Sequence, residues 1–215
     1  MKRIVRCLAA AATFVAALAA TASGGALPTS IQFGDTFFDP KRAPVIATQP
    51  GQPEAVWERA SGSILAHNVR QDDRLFRSGA PRGPAFTGYD VDLSAGTYHY
   101  YCENHGSPAG GMNGLVRVRP AAGGASPATE QIVWGDAQAR RVDRYLVQFR
   151  AQGSRWRTWK RKTRRLQGIF GKQDQPISPQ LGATYQVRVR SFVAKNPPKG
   201  SRFSPPVSFV VDDEL

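Results

Sequence analysis

Alternation with a period of two recurs along the chain. Tyr89-Asp90-Val91-Asp92-Leu93, Leu115-Val116-Arg117-Val118-Arg119 and Tyr145-Leu146-Val147-Gln148-Phe149 show it, as do Tyr185-Gln186-Val187-Arg188-Val189-Arg190 and Val207-Ser208-Phe209-Val210. Successive side chains of a strand point to opposite faces, so this period predicts strands buried on one side. Pro and Gly turns separate them, at Gln49-Pro50-Gly51, Ser94-Ala95-Gly96 and Asn196-Pro197-Pro198. Neither half of the chain carries a convincing helical pattern. Short strands punctuated in this way predict an all-β chain of two β-sandwiches in tandem.

The first residues read differently. Lys2, Arg3 and Arg6 precede an apolar run from Cys7 to Ala20, which ends in Ala20-Thr21-Ala22. A basic start, a short apolar stretch and a small-residue site describe a secretory signal peptide over residues 1–22. The run of 14 residues is too short for the ~20 that span a bilayer. The expected mature protein is therefore secreted or periplasmic and has no transmembrane span. Of the 2 Cys in the chain, Cys7 leaves with the peptide and Cys102 remains as a solitary thiol. In an oxidising compartment such a thiol needs protection, by burial or by a metal.

A small, Gly/Pro-rich stretch, Pro120-Ala121-Ala122-Gly123-Gly124-Ala125-Ser126-Pro127, reads as a flexible linker over 120–127. Charge divides at the same place. Residues 23–123 hold 9 basic and 9 acidic side chains, whereas 124–215 hold 17 and 7. Two electrostatically different units are expected, one over 23–119 and one over 128–215. With 3 His in the chain, multicopper oxidases and imidazole-rich dinuclear zinc hydrolases are excluded.

Candidate chemistry gathers in one stretch from Gly96 to Gly114, where a strand ending at Cys102 runs into a Gly-rich loop holding His105 and Met112. Upstream, Leu65-Ala66-His67-Asn68-Val69 offers a second imidazole. Thiolate, two imidazoles and a thioether together suit copper, and a His₂Cys set with a weak axial Met is an electron-transfer arrangement. Zinc accepts Cys and His but takes thioether poorly. A catalytic Cys-His pair leaves the Met unexplained and has no identifiable orienting residue. Taken singly, His67 reads as a structural histidine and Met112 as core filler. Tyr98 and Tyr100 share the face of Cys102 and are expected in the core, while His99 points outward and Tyr101 is expected at the surface.

The run Gly96-Thr97-Tyr98 to Tyr101-Cys102, the Cys-x-x-His and Gly-Met-x-Gly spacings and the upstream His-Asn-Val resemble the type 1 copper site of cupredoxins of the plastocyanin/azurin kind. The likeness spans residues 31–119. It implies a Greek-key β-sandwich or barrel, one copper ion, His67, Cys102 and His105 as equatorial ligands, and Met112 as the axial one. It also implies that Asn68 ties its loop to the Cys-bearing loop. Six residues separate His105 from Met112, a longer interval than in the shortest ligand loops of that family. The expected activity is one-electron transfer rather than catalysis, with an unidentified redox protein as partner. The alternative is extracytoplasmic copper capture or delivery without redox turnover.

The second unit resembles a fibronectin type III domain, an immunoglobulin-like β-sandwich. The supporting residues are Trp134, the strand from Tyr145 to Phe149, Trp156, Leu181-Gly182-x-x-Tyr185 and Ser204-Pro205-Pro206. The resemblance implies a tyrosine corner at Tyr185. The first strand of such a domain has little room between Pro127 and Trp134. Arg155, Arg157, Lys160, Arg161, Lys162, Arg164 and Arg165 place seven cations within eleven residues, interleaved with Trp156 and Trp159. Such a patch is expected either to be a solvated surface or to dock an acidic redox partner, an anionic envelope polymer or lipid. Export argues against nucleic acid as the partner.

Overall fold

The computed structural model describes residues 28–52, 54–123, 129–139, 141–171, 177–194 and 199–211. The signal peptide expected over 1–22 lies outside the described residues, as does 124–127 of the expected linker. The chain is all-β.

In the first unit the strands are β1 (Thr29–Phe33), β2 (Phe38–Asp39), β3 (Arg42–Ala47), β4 (Ala55–Arg59), β5 (Arg70–Gln71), β6 (Gly88–Val91), β7 (Gly96–Ser107) and β8 (Gly110–Arg119). They form two four-stranded sheets, in the orders β2-β1-β4-β6 and β3-β8-β7-β5. Each sheet contains one parallel pair, β1 with β4 and β3 with β8. The inward positions of the alternating strands close the core: Ile31, Phe33, Trp57, Tyr98, Tyr100, Val116 and Val118 are each at most 1% exposed. Trp57 meets Tyr100 edge to face at a centroid distance of 5.0 Å, a geometry aromatic pairs favour. Tyr98 and Tyr100 are buried with Cys102, as the strand period requires.

The second unit contains β9 (Ala121–Ala122), β10 (Glu130–Val133), β11 (Arg144–Ala151), β12 (Arg157–Thr163), β13 (Gln167–Phe170), β14 (Thr184–Val193), β15 (Lys199–Gly200) and β16 (Val207–Val210). One sheet runs β13-β10-β9 and the other β12-β11-β14, with β16 and β15 also paired to β14. A three-stranded sheet with a five-stranded one makes an immunoglobulin-like β-sandwich. Its first strand is β9, drawn from the segment expected to be a linker. Ala121 and Ala122 pair with Val133 and Ile132. Two small residues suffice because the pairing uses only backbone groups, so a Gly/Pro-rich composition did not preclude a strand. Tyr185 makes the expected corner, its hydroxyl accepting the Gln180 N–H at 2.9 Å.

The two units are stitched together directly. Ala95 N–H donates to Trp134 O at 2.8 Å and Thr97 pairs with Arg202 through both backbone groups. Ser191 Oγ donates to Ala95 O at 2.7 Å, and Ser94 Oγ lies 3.0 Å from Tyr145 Oη. Glu54 and Asp92 of the first unit and Asp136 of the second bring carboxylate oxygens within 4.8 Å of one another at this junction. Glu54 and Asp136 are 0% and 2% exposed. Burial pushes the Glu54 carboxyl up to about 8, against the N–H groups of Leu93 and Gln49, and the Asp136 charge adds to the rise.

Candidate metal centre

The strand that carries Cys102 does not stop there. β7 continues to Ser107 and turns tightly into β8 at Gly110, so a long hairpin replaces the expected open Gly-rich loop. Within it, Tyr101 pairs with Asn113 and Gly106 with Gly111. Four residues of β7, from Cys102 to His105, therefore stand opposite Met112 alone. This wide bulge lets Cys102 and His105 turn the same way although they are three residues apart.

Two glycines make the bulge possible. A Cβ on Gly106 would lie 2.4 Å from Met112 O, and one on Gly111, at φ +73°, would lie 2.5 Å from His105 O. Both positions need the close backbone approach that only Gly allows. Gly110, at the turn itself, has open space around it.

Cys102 Sγ lies 3.8 Å from His67 Nδ1 and 3.6 Å from His105 Nδ1. The three donor atoms all fall within 4.8 Å of one another. Metal–ligand bonds of ~2.0–2.3 Å about a three- or four-coordinate ion place such donors ~3.5–3.8 Å apart, so this set fits one ion. Cys102 is 0% and His67 1% exposed, whereas His105 is half-buried. Burial lowers the pKa of His67, with the neighbouring His105 and Arg59 charges acting in the same sense. His67 thus tends toward the neutral form that binds metal. Met112, 2% exposed, packs in the same apolar cluster as Cys102, across the hairpin from it.

Asn68 bridges the two loops. Its Oδ1 accepts the Glu103 N–H at 2.9 Å, and its Nδ2 donates to Gly79 O at 2.8 Å and to the Glu103 carboxylate. Glu103 also receives Arg70 and the guanidinium of Arg77, the latter at 2.7 Å. Burial raises the Glu103 carboxyl, but the Arg77, Arg70 and Asn68 hydrogen bonds outweigh it and hold the group below its ordinary range. The residue next to the thiol therefore remains an anion clamped by three donors.

A second network backs His67. Arg59 donates from Nε to Phe86 O at 2.9 Å, from Nη1 to Ser63 O at 3.1 Å and Leu65 O at 3.2 Å, and from Nη2 to Gly83 O at 2.8 Å. One guanidinium thus binds the two loops on either side of the imidazole. Asp35 Oδ1 accepts from Ser63 Oγ at 2.7 Å and from the N–H groups of Ile64 and Leu65 at 2.9 and 3.0 Å. Those bonds, Leu65 foremost, hold the Asp35 carboxyl down to about 2. Asp35, Arg59, Ser63, Glu103, Arg70 and Arg77 were not singled out from sequence. Only the adjacency of Glu103 to Cys102 offered a signal.

Two tyrosine-strand expectations need correction. Tyr101 is 8% exposed, because Arg70, its partner on the neighbouring strand β5, lays its guanidinium 5.5 Å above the ring. His99 does not project freely; its Nδ1 lies 2.9 Å from Asp72 in a groove also lined by Arg190 and Arg202 of the second unit.

The seven cations from Arg155 to Arg165 lie on and beside β12, at the edge of the larger sheet of the second unit. Arg155, Arg157, Arg161, Lys162, Arg164 and Arg165 are exposed. The interleaved tryptophans are not free stacking platforms. Trp159 is buried against Trp134, and Trp156 has Arg150 at 4.5 Å and Arg188 at 4.2 Å over its ring. Arg188 also lies 4.2 Å from the Phe203 centroid, which continues the stack.

No protein-family model matches the chain, and no curated protein matches it. Among solved structures, the chain is similar to a cytokine receptor complex at 14% identity, over 72% of this chain and 90% of that one, with a TM-score of 0.34. It is similar to the FN1–FN3 domains of chicken CNTN1 at 10% identity, over 70% of this chain and 56% of that one, with a TM-score of 0.33. A two-domain fibronectin type III segment of chicken tenascin aligns at 17% identity, over 71% and 86%, with a TM-score of 0.31. Among the described residues, no helix is long and apolar enough to cross a membrane.

Proposed function

We propose that the chain is an exported one-electron carrier of the cupredoxin kind, holding one copper ion between His67, Cys102 and His105 with Met112 as a weak fourth ligand. The observation that carries this reading is the approach of one buried thiol to two imidazole nitrogens at 3.8 and 3.6 Å. Bound copper would supply a one-electron redox couple. The protein's part is to hold three donors in place in either oxidation state, and the Asn68–Glu103 clamp, the Arg59 strut and the glycine-dependent bulge serve that rigidity. A site that need not rearrange exchanges electrons with little cost.

His105 is the half-exposed member of the set. Beside it, Ser107, Pro108 and Ala109 are exposed and small, and Ile64 and Leu65, on the loop that leads into His67, are 70% and 40% exposed. A low-charge rim of this kind suits brief contact with a redox partner protein. The cationic edge at β12 would steer the carrier toward an acidic partner, or hold it near an anionic envelope polymer or lipid, in a salt-dependent way.

The deciding experiment is Cu(II) loading of the mature protein, followed by absorption spectroscopy and voltammetry. An intense visible sulfur-to-copper band, lost in Cys102→Ser, with a reversible one-electron wave, is expected. A fully loaded oxidised protein without that band would overturn the reading. A band without reversible turnover, with Cu(I) readily given up to a chelator, would favour copper delivery instead.

A further inference from the structure

We propose that Asp35, acting through Ser63, is a positioning residue for His67: a carboxylate–hydroxyl–imidazole relay that fixes which ring nitrogen carries the proton and biases a bound copper ion toward its oxidised form. The second half of this inference rests on the copper-carrier reading. The first half concerns the metal-free protein and stands without it.

The argument begins with the ring. His67 Nδ1 faces Cys102 Sγ at 3.8 Å, so Nε2 emerges on the far side. There it meets Ser63 Oγ at 3.5 Å and Asp35 Oδ1 at 3.7 Å. Ser63 has one hydroxyl proton. At 2.7 Å from the Asp35 carboxylate, that proton is committed to Oδ1. Arg59 Nη1 donates to the same Oγ at 3.0 Å. Ser63 can then offer His67 only a lone pair, and the charged oxygen behind it is likewise only an acceptor. Both neighbours select the tautomer that carries its proton on Nε2. The lone pair of Nδ1 is left pointing at the thiol, where a metal ligand needs it.

The relay is held from several directions. The Ile64 and Leu65 N–H groups bind the same Asp35 oxygen at 2.9 and 3.0 Å, which fixes the carboxylate on the loop that precedes His67. Phe33 packs edge-on against the imidazole at a centroid distance of 5.6 Å and limits rotation of the ring. The His67 and Arg82 backbones exchange hydrogen bonds at 2.8 and 2.9 Å, which fixes the Cα position. A carboxylate behind a ligating imidazole raises the donor strength of the opposite nitrogen and stabilises the more highly charged metal state.

The test uses the full mature protein with Ser63→Ala, Asp35→Asn and the conservative Asp35→Glu. In the metal-free state, ¹⁵N chemical shifts of His67 should report a predominant Nε2–H form in the wild type and a mixed population in Ser63→Ala. In the copper-loaded state, Asp35→Asn should lower the preference for Cu(II) over Cu(I) about tenfold, a rise of ~59 mV for one electron, and Asp35→Glu should recover part of it. An unmoved tautomer together with an unmoved potential would overturn the relay, provided the charge-transfer band is intact. If the wild type shows no such band, the copper reading fails and the tautomer measurement alone decides the relay. Should Asp35→Asn not fold, Ser63→Ala carries both readouts.

Discussion

The two units share an architecture and use their polar residues in opposite ways. In the first unit, His67, Asn68 and Gln71 are buried, and charged side chains reach inward to satisfy the loops around them. In the second, apart from Asp136, the buried polar side chains among the described residues are small hydroxyls, Ser191, Ser201 and Ser204. Its arginines stay on the sheet surface, where Arg150 and Arg188 both pack on the Trp156 ring. A buried polar group costs stability unless every hydrogen bond is met. Meeting those bonds from distant segments fixes the donors, and that fixed geometry is what a metal centre requires. A surface cation carries no such demand, so the second unit is free to vary its charge without endangering its fold.

The largest effect expected within this contrast comes from the cores. Trp134→Ala in the second unit should cost ~3–5 kcal/mol. Because the units share backbone hydrogen bonds at Ala95, Thr97 and Arg202, calorimetry should show one transition moving to lower temperature. Two transitions, with the first unit unmoved, would show that the junction is weaker than its bonds imply.

Next in size is the junction carboxyl. Burial raises Glu54 from its ordinary 4.5 to about 8 in the folded protein, so the folded state keeps a proton that the unfolded chain releases. This contribution is complete below 4.5, declines as pH rises, and is gone above about 8. The slope is at most ~1.4 kcal/mol per pH unit across that window. Urea denaturation at pH 5 and pH 8.5 should therefore differ in the wild type and nearly coincide in Glu54→Gln.

Glycine substitutions sharpen the contrast further. Gly111 and Gly153 both have positive φ, at +73° and +81°, but only Gly111 has neighbours that a Cβ would strike. Gly111→Ala should cost ~2–4 kcal/mol and weaken copper binding, from strain plus overpacking. Gly153→Ala should cost ~1–2 kcal/mol and leave the centre untouched. Equal effects on copper binding would mean that the bulge tolerates a side chain.

The smallest structural effect is expected at the cationic edge. Arg161→Glu with Lys162→Glu should change stability by less than ~0.5 kcal/mol, yet reduce retention on an anionic matrix at low salt. Retention that is insensitive to both salt and substitution would remove any docking role for β12.

Legibility in the sequence followed the range of each interaction. The strands from Tyr145, Tyr185 and Val207 were read from their own alternation, and β11, β14 and β16 include them. Cys102 and His105 stand close together in the chain, and His67 was reached as the second imidazole of the donor set, raised to a candidate by its partners. The linker reading failed at Ala121 and Ala122 because a two-residue strand leaves no periodicity to detect. Tyr101 was misassigned because alternation knows nothing of a long side chain, Arg70, folded over the ring from the neighbouring strand. Asp35 and Arg59 had no periodic or motif signature; Asp35 binds Ser63 28 residues away, and Arg59 joins nearby Ser63 to Gly83 24 residues away.

The sequence by itself determined that this chain is built of strands, that it divides by charge near Gly123, and that Cys102, His105 and Met112 fall within one short stretch from Gly96 to Gly114. These are properties of composition and short-range order, and they survive in an unfolded chain. Only the tertiary structure decided which carboxylates stand behind those donors and how far the bulge turns His105 toward Cys102. It also decided that the two units meet over a buried acid. Each of these depends on the closure of long loops against one another, and no window of neighbouring residues contains both ends of such a contact.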